Sequence, residues 1–184
     1  ALTLVGFASP EKANAKVLLK RDNTAVTVTI YDKLFTKYVY NDETRAKPIL
    51  YPIIGPNGIP MTRRYPIEEP GKGEAKDHPH HASLWYTHGE VNGISFWHIG
   101  NNTGEIVHEN FLKLEGNIIA TRNKWVDSKG KVVCRDERTL AFHGKGEDRV
   151  IDVTIKILAD SGDVTFGDTK EGSMGIRSNP VLRL

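Results

Sequence analysis

The chain has 184 residues, 39% hydrophobic and 26% charged, with a net charge of +2. This length suits one domain with a sizeable core. The lysines and arginines are scattered and form no basic stripe that could neutralise phosphates, which argues against a nucleic-acid partner. No apolar run reaches the ~18 residues a bilayer-crossing helix needs, and no basic amphipathic helix is present to lie on a membrane, so no membrane span is expected.

Residues 1–15, "ALTLVGFASPEKANA", read as the remnant of a signal peptide: an apolar stretch, then the small-x-small tripeptide Ala13-Asn14-Ala15. The alternative is an apolar N-terminal strand. Export to the periplasm or the medium is expected, with one domain over residues 16–184. From there the periodicity is that of strands. "AVTVTI" places Val26, Val28 and Ile30 on one face and Thr27 and Thr29 on the other. "VIDVTIKIL" does the same with Ile151, Val153, Ile155 and Ile157 inward. Turns are expected at Arg21-Asp22-Asn23, Asp127 to Gly130, His143 to Asp148 and Asp160 to Asp163. With β-branched residues dense and long helical patterns missing, the fold class is all-β, an antiparallel β-sandwich.

Pro48–Pro70 breaks the rhythm, holding six of the nine prolines. Proline removes ladder donors, so a central strand is not expected here. A long functional loop is, followed by a mobile, charged "GKGEAK". That loop leads into "DHPHHASLWYTHG", which puts His78, His80, His81 and His88 within thirteen residues. In an extended segment His78 and His80 point one way and His81 the other. Paired imidazoles suit proton transfer near pH 7 and also metal ligation, so residue type leaves both open. A divalent metal on His78 and His80 would need a third ligand such as His88, Glu90 or His108. Trp85 could floor a sugar site. In the competing structural reading Trp85 and Trp97 are core and the histidines only brace a loop.

Farther on, "CRDER" sets Arg135 and Glu137 on one face and Asp136 and Arg138 on the other, either lining a cleft or forming a charge-paired edge. The lone Cys134 is expected to pack as a small hydrophobe. Asp168 and Lys170 lie in a charged loop between glycines. No nucleophile elbow, phosphate-cradling glycine loop or dinucleotide fingerprint is present. The chain ends on "SNPVLRL", as if within a strand.

In that order, "YPIIGPNGIPMTRRYP", "DHPHHASLWYTHGEVNGISFW" and "FGDTKEGSMGIR" resemble the bacterial PmoA-like family, a domain of unknown function labelled as a methane oxygenase. The resemblance runs from about Lys16 to the end. It implies a β-sandwich that continues past this chain, hence a fragment. A genuine membrane-bound methane monooxygenase subunit would need several transmembrane helices, so that activity is not expected. The layout is also similar to the galactose-mutarotase-like supersandwich, in which a histidine and a carboxylate exchange protons with a sugar and an arginine holds a hydroxyl. By that analogy His80 or His81 is the acid, Glu137 or Asp168 the base, and Arg63 or Arg64 the clamp. Asp77, Trp85, His88 and Lys170 complete the substrate-binding set. The leading expectation is therefore an exported protein that binds or processes a carbohydrate in a histidine-rich cleft. Its partner would be a small molecule or an oligosaccharide. The alternatives are a metal-binding protein or metal-dependent enzyme, and a non-catalytic structural module.

Overall fold

In the computed structural model, which describes residues 16–182, the alternating segments become strands. In chain order these are β1 (Val17–Arg21), β2 (Ala25–Ile30), β3 (Lys33–Val39), β4 (Ile49–Leu50), β5 (Leu84–Tyr86), β6 (Glu105–Glu115), β7 (Ile118–Val126), β8 (Val132–Lys145), β9 (Asp148–Leu158) and β10 (Met174–Ile176). They form two antiparallel sheets, β1-β2-β3-β4-β5-β10 and β6-β7-β8-β9, packed as a sandwich. The signal-peptide reading of residues 1–15 lies outside the described residues. Among those described, no helix is long and apolar enough to cross a membrane.

The turns follow from local chemistry. The Asp22 carboxylate accepts the N–H groups of Thr24 and Ala25, both at 2.8 Å, and closes the β1–β2 hairpin. Asp127 accepts from Lys129 and Lys131 at the β7–β8 turn, where Gly130 takes φ 80°. The β8–β9 turn is tighter than expected. His143 and Gly144 stay in the ladder opposite Val150 and Arg149, leaving only Gly146 and Glu147 at the tip.

Val26, Val28, Ile30, Phe35 and Leu50 from the first sheet meet Ile119, Leu140 and Phe142 from the second. Each such fully buried side chain contributes roughly 1.5–3 kcal/mol. Val91, Phe96, Ile106, Trp125 and Cys134 form a second cluster, with the Cys134 thiol pushed up to about 12 by burial. The inward residues of β9 alternate as expected but are only half-buried, because β9 is a sheet edge with one neighbour.

Three expectations fail. The proline-rich segment does supply a central strand: β4 lies between β3 and β5, with Ile49 opposite Val39 and Trp85. Pro48 and Pro52 flank this two-residue strand, so the donors of Ile49 and Leu50 survive. "GKGEAK" is tied down, because the Glu74 carboxylate accepts the Arg64 and Tyr65 N–H groups at 2.9 and 3.0 Å. Pro180–Leu182 is a 3-10 turn and not a strand.

Candidate functional site

Side chains on the short strands β4 and β5 divide between two faces. Leu50 and Leu84 point into the core between the sheets. Ile49 and Trp85 point the other way, where Tyr51, Ala82 and Trp97 cover them in a separate cluster. Gly175, opposite Trp85 on β10, makes this possible. A Cβ there would run into the Trp85 indole at Cζ2, so no larger residue fits without displacing the ring.

Backbone bonds draw three segments together beneath this face. The Arg63 N–H donates to the Arg177 carbonyl at 3.1 Å, and the Arg177 N–H to the Ser83 carbonyl at 2.7 Å. The arginine side chains then converge on Asp77. Arg63 Nη1 and Arg177 Nη2 both donate to Asp77 Oδ1, at 2.9 and 2.8 Å, and Arg63 Nη2 donates to the Asp77 carbonyl at 2.8 Å. The Arg63 hydrogen bond, followed by the Arg177 charge, holds the Asp77 carboxyl down at about 2.

This anchored aspartate starts a turn, not an extended strand. The His81 N–H donates to the His78 carbonyl at 2.9 Å, and His78 has φ 46°. The turn overturns the expectation that His81 points away. All three imidazoles meet, each with a ligand-type nitrogen, within 4.8 Å of one another. His78 stacks on His81 with ring centres 4.9 Å apart, and His81 stacks on Trp85 at 5.1 Å. His80 stands across both and reaches His98 at 4.9 Å. Trp97 meets His81 edge-on and donates its indole N–H to His81 Nε2 at 3.1 Å. That bond puts the proton of the neutral His81 ring on Nδ1.

Burial first, then neighbouring imidazoles and cations, pushes His80 and His81 down to about 4. Both are therefore neutral at pH 7, the form that ligates metals. Behind Trp97 lies a residue the sequence did not flag. Lys47 is 6% exposed and donates to the Trp97 carbonyl at 2.9 Å. No carboxylate pairs with it among the described residues, and burial lowers its ammonium to about 8.

Of the expected residues, the turn brings together Asp77, His78, His80 and His81, with Trp85 beneath them. Trp85 is 4% exposed and capped by His81, so its ring is core and not an open sugar floor. Arg63 is fully buried and braces Asp77 and Tyr65 instead of clamping a ligand. Arg64 is exposed and pairs with Glu68 at 2.9 Å.

The remaining expected residues lie elsewhere. His88 has both nitrogens engaged, with the Ser173 hydroxyl and the Gly167 carbonyl, each at 2.9 Å. His108 is wedged between Tyr40 and Phe111. Glu90 packs against Gly167. None of these three lies in the cluster; the third imidazole beside His78 and His80 is His81. Glu137 faces outward on β8, on the opposite sheet, paired with Arg122 at 2.6 Å and Lys156 at 3.4 Å. Asp168 is exposed in the loop near His88, and Lys170 pairs with Glu171 at 3.6 Å. Neither carboxylate opposes the histidines. Strand β8 itself is central, not an edge, with Asp136 and Arg138 buried against each other.

Sequence reading missed Lys47, Trp97 as a donor to His81, and Arg177. Arg177 follows Gly175 by two residues, which sets it on the face of Trp85, but the Gly175–Trp85 pairing that gives this meaning is visible only in the structure.

No curated protein and no solved structure matches the chain. A family of unknown function, DUF6807, matches residues 25–183; neither the PmoA-like label nor the mutarotase-like architecture is part of that match. Because the match covers nearly the whole chain, the protein belongs to the DUF6807 family.

Proposed function

We propose that this protein binds a divalent transition metal of the zinc type through His78, His80 and His81. The observation that carries the reading is the convergence of three imidazole nitrogens within 4.8 Å on one anchored turn. Zn–N bonds of about 2 Å in a tetrahedron set ligand nitrogens ~3.3 Å apart, so the rings close by up to ~1.5 Å on loading. His78, half exposed, has room to rotate. His81 must exchange the Trp97 N–H at Nε2 for the metal.

Three protein ligands leave a fourth position for water or substrate, the arrangement of catalytic zinc sites. A metal there would lower the pKa of a bound water or polarise an oxygen of the substrate. This chain's own contribution is to hold His80 and His81 neutral and to place the Asp77 carboxylate beside His78, with Oδ2 4.0 Å from Nε2. The carbohydrate reading has less support, since the aromatic face expected to receive a sugar is covered by His81.

The test is elemental analysis of tag-free protein beside the His78→Ala/His80→Ala double variant. The expected result is about one metal ion per chain, absent from the variant. A wild-type protein that takes up no zinc, even at micromolar excess, sinks the reading.

A further inference from the structure

We infer that the molecule received at the histidine centre carries an oxyanion, a carboxylate or phosphate group, and that Arg177 clamps it. The inference deepens the metal reading and rests on it in part, because a metal adds positive charge at the same place.

Charge at the site does not balance. Arg63, Arg177 and Lys47 surround the imidazoles, while Asp77 is the one carboxylate bonded to any of the three among the described residues. The two arginines differ in what they have left to offer. Arg63 is fully engaged, with Nε on the Tyr65 carbonyl and both Nη atoms on Asp77. Arg177 uses Nη2 alone on Asp77; its Nε and Nη1 have no partner among the described residues, and its side chain is 24% exposed. Asp77 and the backbone bonds to Ser83 and Arg63 hold Arg177 in place beside the stack. A positioned guanidinium with open donors is suited to a planar carboxylate or a phosphate.

Lys47 supports this independently. A buried ammonium whose partner is a single carbonyl is costly, and an anion docked nearby would offset that cost. A divalent ion on three neutral imidazoles adds two further positive charges with no ligand carboxylate to cancel them. A neutral sugar would leave all of this charge uncompensated.

Calorimetric titration decides the matter, using the zinc-loaded full chain freed of excess zinc, with inorganic phosphate, glucuronate and glucose as probes. At least one anion should bind, and glucose should bind at least about tenfold more weakly. Phosphate against glucuronate distinguishes the two oxyanions. Arg177→Met should weaken the anion by about tenfold or more and Arg177→Lys by less, with zinc stoichiometry retained because Arg63 still holds Asp77. Anions that bind no better than glucose, or bind equally to Arg177→Met, overturn the inference. If the chain takes up no zinc, the metal reading alone falls, and the same titrations on zinc-free protein decide the anion site by the same criteria.

Discussion

Asp136 holds one arginine inside the sandwich, and Asp77 holds two on its outer face. Asp136 is fully buried. Oδ1 accepts from Asn123 at 2.8 Å; Oδ2 accepts from Trp125 at 2.8 Å and Arg138 at 3.2 Å. The Arg138 guanidinium in turn lies over the Tyr86 ring. Every partner comes from the core, and the network closes on itself apart from Arg138 Nε and Asn123 Oδ1. Asp77 is 43% exposed, its two arginines come from distant loops, and it borders the stacked rings of His78 and His81. Polar groups that neutralise one another in the core serve the fold. Polar groups held in place with donors left over, at a surface, are what the proposed ligand would use.

The largest effect should come from breaking the closed network. Asp136→Ala leaves Arg138 buried and unpaired, a loss of about 3–5 kcal/mol. Chemical denaturation measures it. A loss under about 1 kcal/mol would mean that water reaches Arg138, and the contrast between the two sites would collapse.

The open site should instead show itself through pH. In the metal-free protein His80 and His81 titrate at about 4, against 6.5 in the unfolded chain. Between those values the unfolded state binds more protons, so stability falls as pH drops from about 6.5 to about 4. Asp77, lowered from 3.8 to about 2, adds its loss only below that window. Lys47 acts at the other end: lowered from 10.5 to about 8, it makes stability rise with pH across that interval. Unfolding curves from pH 7 to 4.5 should flatten in a His80→Asn/His81→Asn variant. An unchanged slope would assign the acid sensitivity elsewhere.

How far the sequence discloses each region follows from the range of the interactions. Alternation in β2 and β9 is a property of neighbouring residues, and it disclosed both strands and their inward faces. Strand β4 was hidden because two residues carry no period and prolines flank them. Asp136 and Arg138 were correctly placed on one face by the same alternation, although their burial depends on β9 and the facing sheet. The outer site is less legible. Asp77 meets Arg63 across 14 residues and Arg177 across 100, which no local pattern encodes. The phase of His81 was misread because His78 adopts a left-handed turn, a conformation uncommon for a residue with a side chain. Lys47 precedes a proline and an apolar run, and nothing in that context announces a buried ammonium.

Trp97→Phe sharpens the comparison from the side of the ligands. The substitution keeps a ring against His81 and removes the N–H that occupies Nε2. If His81 ligates the metal, loss of this competitor should tighten zinc binding by about fivefold, the worth of one ordinary hydrogen bond of ~1 kcal/mol. Competition with a chelating dye would measure the change. Unchanged or weaker affinity would remove His81 from the ligand set and leave His78 and His80 in need of another partner, with His98 the nearest imidazole.

The smallest effect is expected at Glu137, which began as a candidate base. It faces solvent on the opposite sheet and pairs with Arg122 and Lys156 across the ladder. Exposed pairs of this kind contribute ~0.2–1 kcal/mol, so Glu137→Gln should lower stability by no more than that. Zinc affinity and anion affinity should both stay at the wild-type value, because the substitution lies on the far side of the sandwich. A change in either would mean that the two outer faces communicate through the core network. Asp136 and Arg138, flanking Glu137 on the inward face of the same strand, would then offer a short route through the core.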